Sequence, residues 1–250
     1  MTPKQFDNKL SGSSFKLQPL YKQVEEHVIQ LIVEQHWKPG EMLPSEFELA
    51  SQYNVSQGTV RKALNSLTDS KILTRRQGVG TFVSEHTGHQ ALYRFFPLVA
   101  DGEKPELPKA EVMQLRLLKS VSTEILNSLG LKAKEKVIFL SRRRILNGEY
   151  CLLEDIHLPY KYFKELLDEE EIPHTLYHFY QTRFNLTVHK TVDKIKAVLA
   201  RASDAKALEI DRGEPLLKFT RVTYSLDGKI IEYRVNRCRS DRFHYLVDLE

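Results

Sequence analysis

Two groups of side chains in this 250-residue chain have types and spacing that suit chemistry. The first is Ser56, Gln57, Gly58, Thr59, Arg61 and Lys62, followed by Arg75, Arg76, Gly78 and Gly80. Hydroxyls and backbone N–H groups at a helix start hold phosphate. Glutamine pairs bidentately with adenine and arginine with guanine, and glycine lets a backbone approach a phosphate closely. The second group is Arg142, Arg144 and Glu154. Two arginines clamp a phosphate or carboxylate, and a glutamate accepts from a hydroxyl or amine. The same three residues also suit an internal ion pair, because charge on an apolar surface needs a partner. Pattern alone leaves both readings open.

The first group needs a helix and a hairpin to hold it. Ser56 is a natural cap for a helix whose buried stripe is Val60, Ala63, Leu64 and Leu67. The other face then carries Gln57, Gly58, Arg61, Lys62 and Asn65. Upstream, Ser45 and Glu48 form a capping-box pattern opening a helix with Leu49, Ala50 and Tyr53 inward. Asn54-Val55 makes the turn between the two. A longer helix over 17–35 shows Leu20, Val24, Val28, Leu31 and Ile32 on one face, ended by Lys38-Pro39-Gly40. Downstream, 72–75 and 81–83 read as short strands joined through Arg76-Gln77-Gly78-Val79-Gly80. Two helices, a tight turn and a basic hairpin lay one helix against base edges and a wing against phosphates. A nucleotide-binding glycine loop is excluded: there is no GxGxxG and no strand feeding a helix.

Charge distribution agrees. Between Arg61 and Val83 five cations face only Asp69, so this stretch alone carries the net +4 of the whole chain. The start, MTPKQFDNKLSGSS, lacks an apolar core and is not read as a secretory signal. No apolar run approaches the roughly 18 residues that span a bilayer. The expected home is a reducing cytoplasm with Cys151 and Cys238 as free thiols. The expected organisation is a mobile segment over 1–16, a winged helix-turn-helix domain over 17–84, a linker over 85–92 and a second domain over 93–250. His86 and His89 in the linker read as solvated.

The motifs Gln18-Pro19-Leu20-Tyr21, Leu43-Pro44-Ser45-Glu46, Thr59-Val60-Arg61-Lys62-Ala63-Leu64 and Gly78-Val79-Gly80-Thr81-Phe82-Val83 resemble the GntR superfamily of bacterial transcription regulators, in order and without gaps over about 66 residues. The resemblance implies a homodimer on a pseudo-palindromic operator. It places the DNA contacts on Ser56, Gln57, Thr59, Arg61 and Gly78, to which Ser45, Gly58, Lys62, Arg75, Arg76 and Gly80 are added as neighbours on the same surface. The family often has arginine at the position of Gln57 and a basic residue at that of Val79, so operator sequence does not transfer.

From about 93 to the end the pattern is α+β. Strands are predicted over 112–119, 136–146, 150–158, 186–199, 216–224 and 230–239, with helices over 122–130, 160–170, 174–183 and from 203. The first hairpin decides where the second chemical group points. Ile138, Leu140, Arg142 and Arg144 share one face, as do Tyr150, Leu152, Glu154, Ile156 and Leu158. A two-residue Asn147-Gly148 loop would put the two sets on opposite faces. A three-residue loop with Gly148 in a left-handed bulge position merges them, and that loop is the expectation.

The run Arg142 to Pro159, with Ile231-Glu232-Tyr233 and Asp241-Arg242-Phe243, resembles the HutC subfamily's effector-binding UTRA domain. That resemblance implies a chorismate-lyase-like fold, built on a mainly antiparallel sheet, that binds small metabolites. It implies effector contacts at Arg142, Arg144, Glu154, Thr175 and Glu232, with Arg94 grouped beside them. Cys238 stands where some members have tyrosine, and Arg94-Phe95-Phe96 departs from the usual pattern of sugar-phosphate sensors. No cofactor is implied; the effector is a small anion of the sugar-phosphate, dicarboxylate or amino-acid-derivative type.

The rival readings are weaker. A lyase-like enzyme lacks a Ser/His/Asp order, a Cys–His pair or a metal cluster. His174 and His178 are spaced i,i+4 but lack the Glu of HExxH and a third ligand, so they read as surface residues. A metal-using, all-helical effector domain conflicts with the alternating patterns at 136–158 and 216–239.

Overall fold

The computed structural model describes residues 18–86, 95–96, 98–102 and 108–247. The chain divides into two compact units after Glu85. The first holds α1 (Leu20–Val33), α2 (Glu46–Tyr53), α3 (Gln57–Asp69) and the antiparallel pair β1 (Leu73–Arg76) and β2 (Gly80–Val83). Ser45 caps α2 reciprocally: Glu48 N–H donates to Ser45 Oγ at 3.2 Å and Ser45 N–H to Glu48 Oε2 at 2.8 Å. Asn54 ends α2 in the left-handed region at φ 52°, a conformation its short amide tolerates. Ser56 Oγ then accepts from Thr59 N–H at 3.1 Å and starts α3. Val24, Val28, Leu31, Ile32, Leu49, Tyr53, Val60, Ala63, Leu64 and Leu67 are buried, so the stripes read by periodicity form the core seam, except that Leu20, in the first turn of α1, is exposed.

The second unit is a six-stranded antiparallel sheet in the order β4-β5-β6-β9-β8-β7. Its strands are β4 (Lys109–Leu117), β5 (Val137–Leu146), β6 (Glu149–Pro159), β7 (Val188–Leu199), β8 (Pro215–Ser225) and β9 (Ile230–Arg239). A separate short pair, β3 (Leu98–Ala100) and β10 (Phe243–Tyr245), had no counterpart in the sequence reading; three-residue strands give too few alternations to register. On one face, α5 (Tyr160–Phe163), a 3-10 turn (Lys164–Asp168) and α6 (Leu176–Arg183) bury Ile138, Leu140, Ile156, Leu158, Phe163 and Tyr180. On the other, α4 (Thr123–Ser128) and α7 (Ala202–Leu208) cover residues of opposite parity, such as Val137, Tyr233, Leu153 and Leu216.

The loop expectation is corrected. β5 and β6 join by a two-residue turn, with Leu146 opposite Glu149 and both Asn147 (φ 53°) and Gly148 (φ 80°) left-handed. That is the turn type Asn-Gly favours. The extra residue lies three positions later: the register passes from Ile145↔Tyr150 to Arg144↔Leu152 and leaves Cys151 as a bulge. The bulge restores the parity the short loop would have broken, and Arg142 faces Glu154 directly. The three-residue loop occurs instead in the second hairpin, where Gly228 sits at φ 79° and its N–H donates to the Ser225 carbonyl.

Candidate functional site

The first candidate surface lies on α3 and the wing. Ser45, Ser56, Gln57, Gly58, Arg61, Lys62, Arg75, Arg76 and Gly78 are exposed, and Thr59 and Gly80 partly so. The four cations each have a local partner. Arg61 Nε donates to Glu46 Oε2 at 2.8 Å and Arg75 Nη2 to Glu46 Oε1 at 3.0 Å. Lys62 sits 4.0 Å from the centre of the Tyr21 ring and Arg76 4.3 Å from that of Phe82. Glu46 thus ties α2, α3 and β1 together through the two arginines. Sequence reasoning passed over it; its signal was an acidic residue in the first turn of α2, where the helix dipole also holds it.

The second surface is the buried side of the large sheet. Alternation on β5, β6, β8 and β9 brings Arg142, Arg144, Glu154, Arg221, Glu232 and Arg234 to one face, all under 8% exposed. Arg142 grips Glu154 through Nε at 2.9 Å and Nη2 at 2.6 Å. Arg234 donates to Glu154 Oε1 at 2.6 Å and to Glu232 through Nε at 3.1 Å and Nη2 at 2.7 Å. Tyr177, Tyr180 and Thr223 hydroxyls also donate to Glu232. Arg221 pairs with Asp193 on β7 and donates to the Phe95 carbonyl. Burial alone would push the Glu154 carboxyl up, but the guanidiniums of Arg142, Arg234 and Arg144 hold it well below the usual carboxylate range.

Arg144 is the exception. It is 3% exposed, and among the described residues its nearest carboxylate oxygen is Glu154 Oε2 at 3.9 Å and its Nε has no hydrogen-bond partner. Its Nη atoms donate to the His174 carbonyl at 2.6 Å and the Pro108 carbonyl at 3.1 Å. Burial pulls its guanidinium down to about 10; Glu154 opposes this, and Arg142 and Arg234 add to it. It borders a cavity also lined by Arg142, Glu154, Phe95, Phe96, Thr175, Leu176 and Tyr177. The free volume is about 40 Å³. A water needs roughly 10–15 Å³ by this measure, so a metabolite enters only if the lining gives.

The structure therefore gathers Arg142, Arg144, Glu154, Thr175 and Glu232 in one place, with Glu232 behind the cavity wall in the same network. Thr175 precedes α6 and its hydroxyl makes no capping bond. Arg94 lies outside the described residues, as do His89 and 1–16. Arg142 and Glu154 form the internal ion pair that one reading expected, while Arg144 keeps a donor unused among the described residues. Sequence reasoning missed Arg221, Arg234, Tyr177 and Tyr180, although Arg221 and Arg234 sit on the core parity of apolar strands. The expectation that His86 is solvated was wrong. It is 5% exposed, its N–H donates to Gln181 Oε1 and its Nε2 lies 2.8 Å from the Val188 carbonyl.

Residues 106–244 match the family model described as the UTRA domain, and residues 20–83 that of bacterial regulatory proteins, gntR family. The chain belongs to the GntR family. It is a transcriptional regulator of the GntR/HutC repressor type rather than an enzyme. The chain is 28% identical to the HTH-type transcriptional repressor NagR of Bacillus subtilis over 232 residues, covering 91% of this chain and 95% of that one. It is 30% identical to the histidine utilization repressor of Pseudomonas aeruginosa over 208 residues, covering 83% and 82%. PhnF from Mycobacterium smegmatis shares the fold at a TM-score of 0.55 and 24% identity, over 91% of this chain and 99% of that one. Among the described residues of this GntR-family regulator, no helix is long and apolar enough to cross a membrane.

Proposed function

We propose that this GntR-family repressor binds a pseudo-palindromic operator as a homodimer and releases it when a small anionic metabolite occupies the cavity beside Arg144. The observation that carries the effector half is Arg144: a buried guanidinium with an unused Nε at the edge of a cavity. Such a group gains most from an anion that completes its donors. Sugar phosphates, dicarboxylates and amino-acid derivatives all supply one. Arg142 and Thr175 line the same cavity. The family match supports the operator half, with Ser45, Ser56, Gln57, Gly58, Thr59, Arg61, Lys62, Arg75, Arg76, Gly78 and Gly80 as the contact surface. Two winged units on one dimer read half-sites about one helical turn, ~34–36 Å, or a multiple of it apart. The setting is a reducing cytoplasm, in keeping with two buried free thiols.

The effector acts only through a difference in its affinity for the operator-competent and operator-released states. The test is thermal unfolding of the full chain across a metabolite panel, followed by operator release with each hit. A ligand at 100 times its Kd stabilises by about 2.7 kcal/mol. Hits that leave operator binding unchanged would refute effector control.

A further inference from the structure

We propose that the sheet face opposite the Arg144 cavity carries a second ligand site, for a nucleoside polyphosphate, in the trough between α4 and α7. The trough follows from strand parity. On β7 and β8 the pairs Val192↔Val222, Lys194↔Thr220, Lys196↔Lys218 and Val198↔Leu216 lie on that face. The cluster under α4 takes in Val222 and Tyr233, and the one under α7 takes in Val198 and Leu216. Among the described residues, the stretch between them is left open and holds about 390 Å³ of free volume, enough for a small ligand.

Charge marks the site. Lys194, Lys196 and Lys218 line the trough, and among the described residues none of the three forms an ion pair. Lys196 stands directly opposite Lys218, and Lys218 directly opposite Arg237 on β9. Like charges directly opposite destabilise a sheet. Arg237 is matched by Asp155 at 2.7 Å; the two lysines are not. Lysines on the edge strand β7 would by themselves serve to keep that edge from pairing with another chain. Lys218 lies on β8, inside the sheet, where no edge needs protecting. A bound anion turns this repulsion into attraction.

The side chains also select the anion. An ammonium holds phosphate as a point charge, whereas a planar carboxylate is best met by the fork of an arginine, and Arg237 already spends its fork on Asp155. Side chains opposite one another stand ~5 Å apart at Cβ, and Lys194 lies ~7 Å along the strand from Lys196. Three ammoniums at that spacing reach several phosphoryl groups rather than one. Toward α4 the lining turns aromatic and apolar, with Tyr224, Tyr233, Val192 and Val222. Such faces stack a nucleobase. Glu124, which accepts from the Tyr233 hydroxyl at 3.3 Å, closes that end as an acceptor for the hydroxyls or amino group of a nucleoside.

The full-length protein is to be titrated calorimetrically with ATP, adenosine, tripolyphosphate and an oligoglutamate peptide, without divalent metal and at matched ionic strength. ATP is expected to bind at least ~10-fold tighter than adenosine, which lacks the phosphates, and than tripolyphosphate, which lacks the body. The double variant Lys196→Ala/Lys218→Ala is expected to bind ATP about 10-fold more weakly. It should melt at or above wild type, because it relieves a like-charge pair. Tyr224→Ala is expected to weaken ATP and leave tripolyphosphate unchanged. Tripolyphosphate or the peptide binding as tightly as ATP would overturn the ligand class. No ATP binding, ATP binding that the lysine variant leaves unchanged, or binding lost instead in Arg144→Ala or Arg61→Ala would overturn the site. A lysine variant that melts well below wild type would show that the lysines serve the fold, and would overturn it too.

Discussion

At the scale of single residues, the molecule uses carboxylates to organise cations. Glu46 holds Arg61 and Arg75 at 2.8 Å and 3.0 Å on the proposed DNA surface. Removing a negative charge from a phosphate-facing surface ordinarily tightens binding. Here Glu46→Ala is expected to weaken operator affinity about 10-fold, because two arginines then lose their orientation. Fluorescence anisotropy against the operator checks this; a rise in affinity would mean that Glu46 competes with phosphate instead. Glu154 does the same work in the effector domain, between Arg142 and Arg234. Glu154→Gln leaves both guanidiniums buried without that charge and is expected to cost roughly 3–5 kcal/mol in urea unfolding. The folded-state pKa of Glu154 lies below that of the unfolded chain. Its contribution is therefore fully present above about pH 4.3, the ordinary glutamate value, and declines as pH falls below it. The unfolding midpoint of Glu154→Gln should thus approach that of wild type as pH falls from neutral toward 3.

At the scale of elements, a turn and a bulge together set the pocket. Asn147-Gly148 closes the β5–β6 hairpin, and Cys151 shifts parity so that Glu154 meets Arg142. Sequence reasoning reached the right face through the wrong element. Apolar alternation on both strands demanded one shared face, which was legible. Where the extra residue sits was not, because a loop insertion and a strand bulge give the same downstream parity. The two are separable by mutation. Gly148 holds φ 80° with open space around its absent Cβ, so Gly148→Ala is expected to cost about 1–2 kcal/mol of stability from left-handed strain alone. Effector binding should survive. Deleting Cys151 removes the bulge and, by a one-residue slip, turns Glu154 to the opposite face. Loss of effector binding on deletion, measured on whatever folded fraction persists, separates the two elements; retained binding would show that the bulge is dispensable.

At the scale of the whole molecule, the chain joins a GntR-type DNA-binding unit to a UTRA unit, and the proposed coupling of effector to operator must be reciprocal. If effector lowers operator affinity by some factor, operator lowers effector affinity by the same factor. Calorimetry of the effector with and without operator measures this, and an effector affinity that operator leaves unchanged would exclude coupling between the two sites. Operator binding itself should fall steeply with salt, by roughly 0.9 in the log–log slope for each phosphate neutralised. Arg61→Ala is expected to flatten that slope by about one such increment.

The family and the sequence of elements in the first unit were written in local patterns. A capping box, a heptad-like stripe and a Gly-Val-Gly wing act between residues a few positions apart, so the sequence determined them without help. Much of the antiparallel sheet was legible for the same reason, since alternation is local. What the effector domain can hold was decided only by tertiary structure. Arg234 lies 80 positions from Glu154 and Tyr180 lies 52 from Glu232. The pairing of β6 with β9 brings the first two into contact, and the packing of α6 on the sheet the second two. Whether a buried arginine is matched or left open depends on which carboxylates arrive beside it, and no spacing along the chain reports that. Arg142 and Arg144 look alike in the sequence; in the fold one is paired and the other is left with an unused donor.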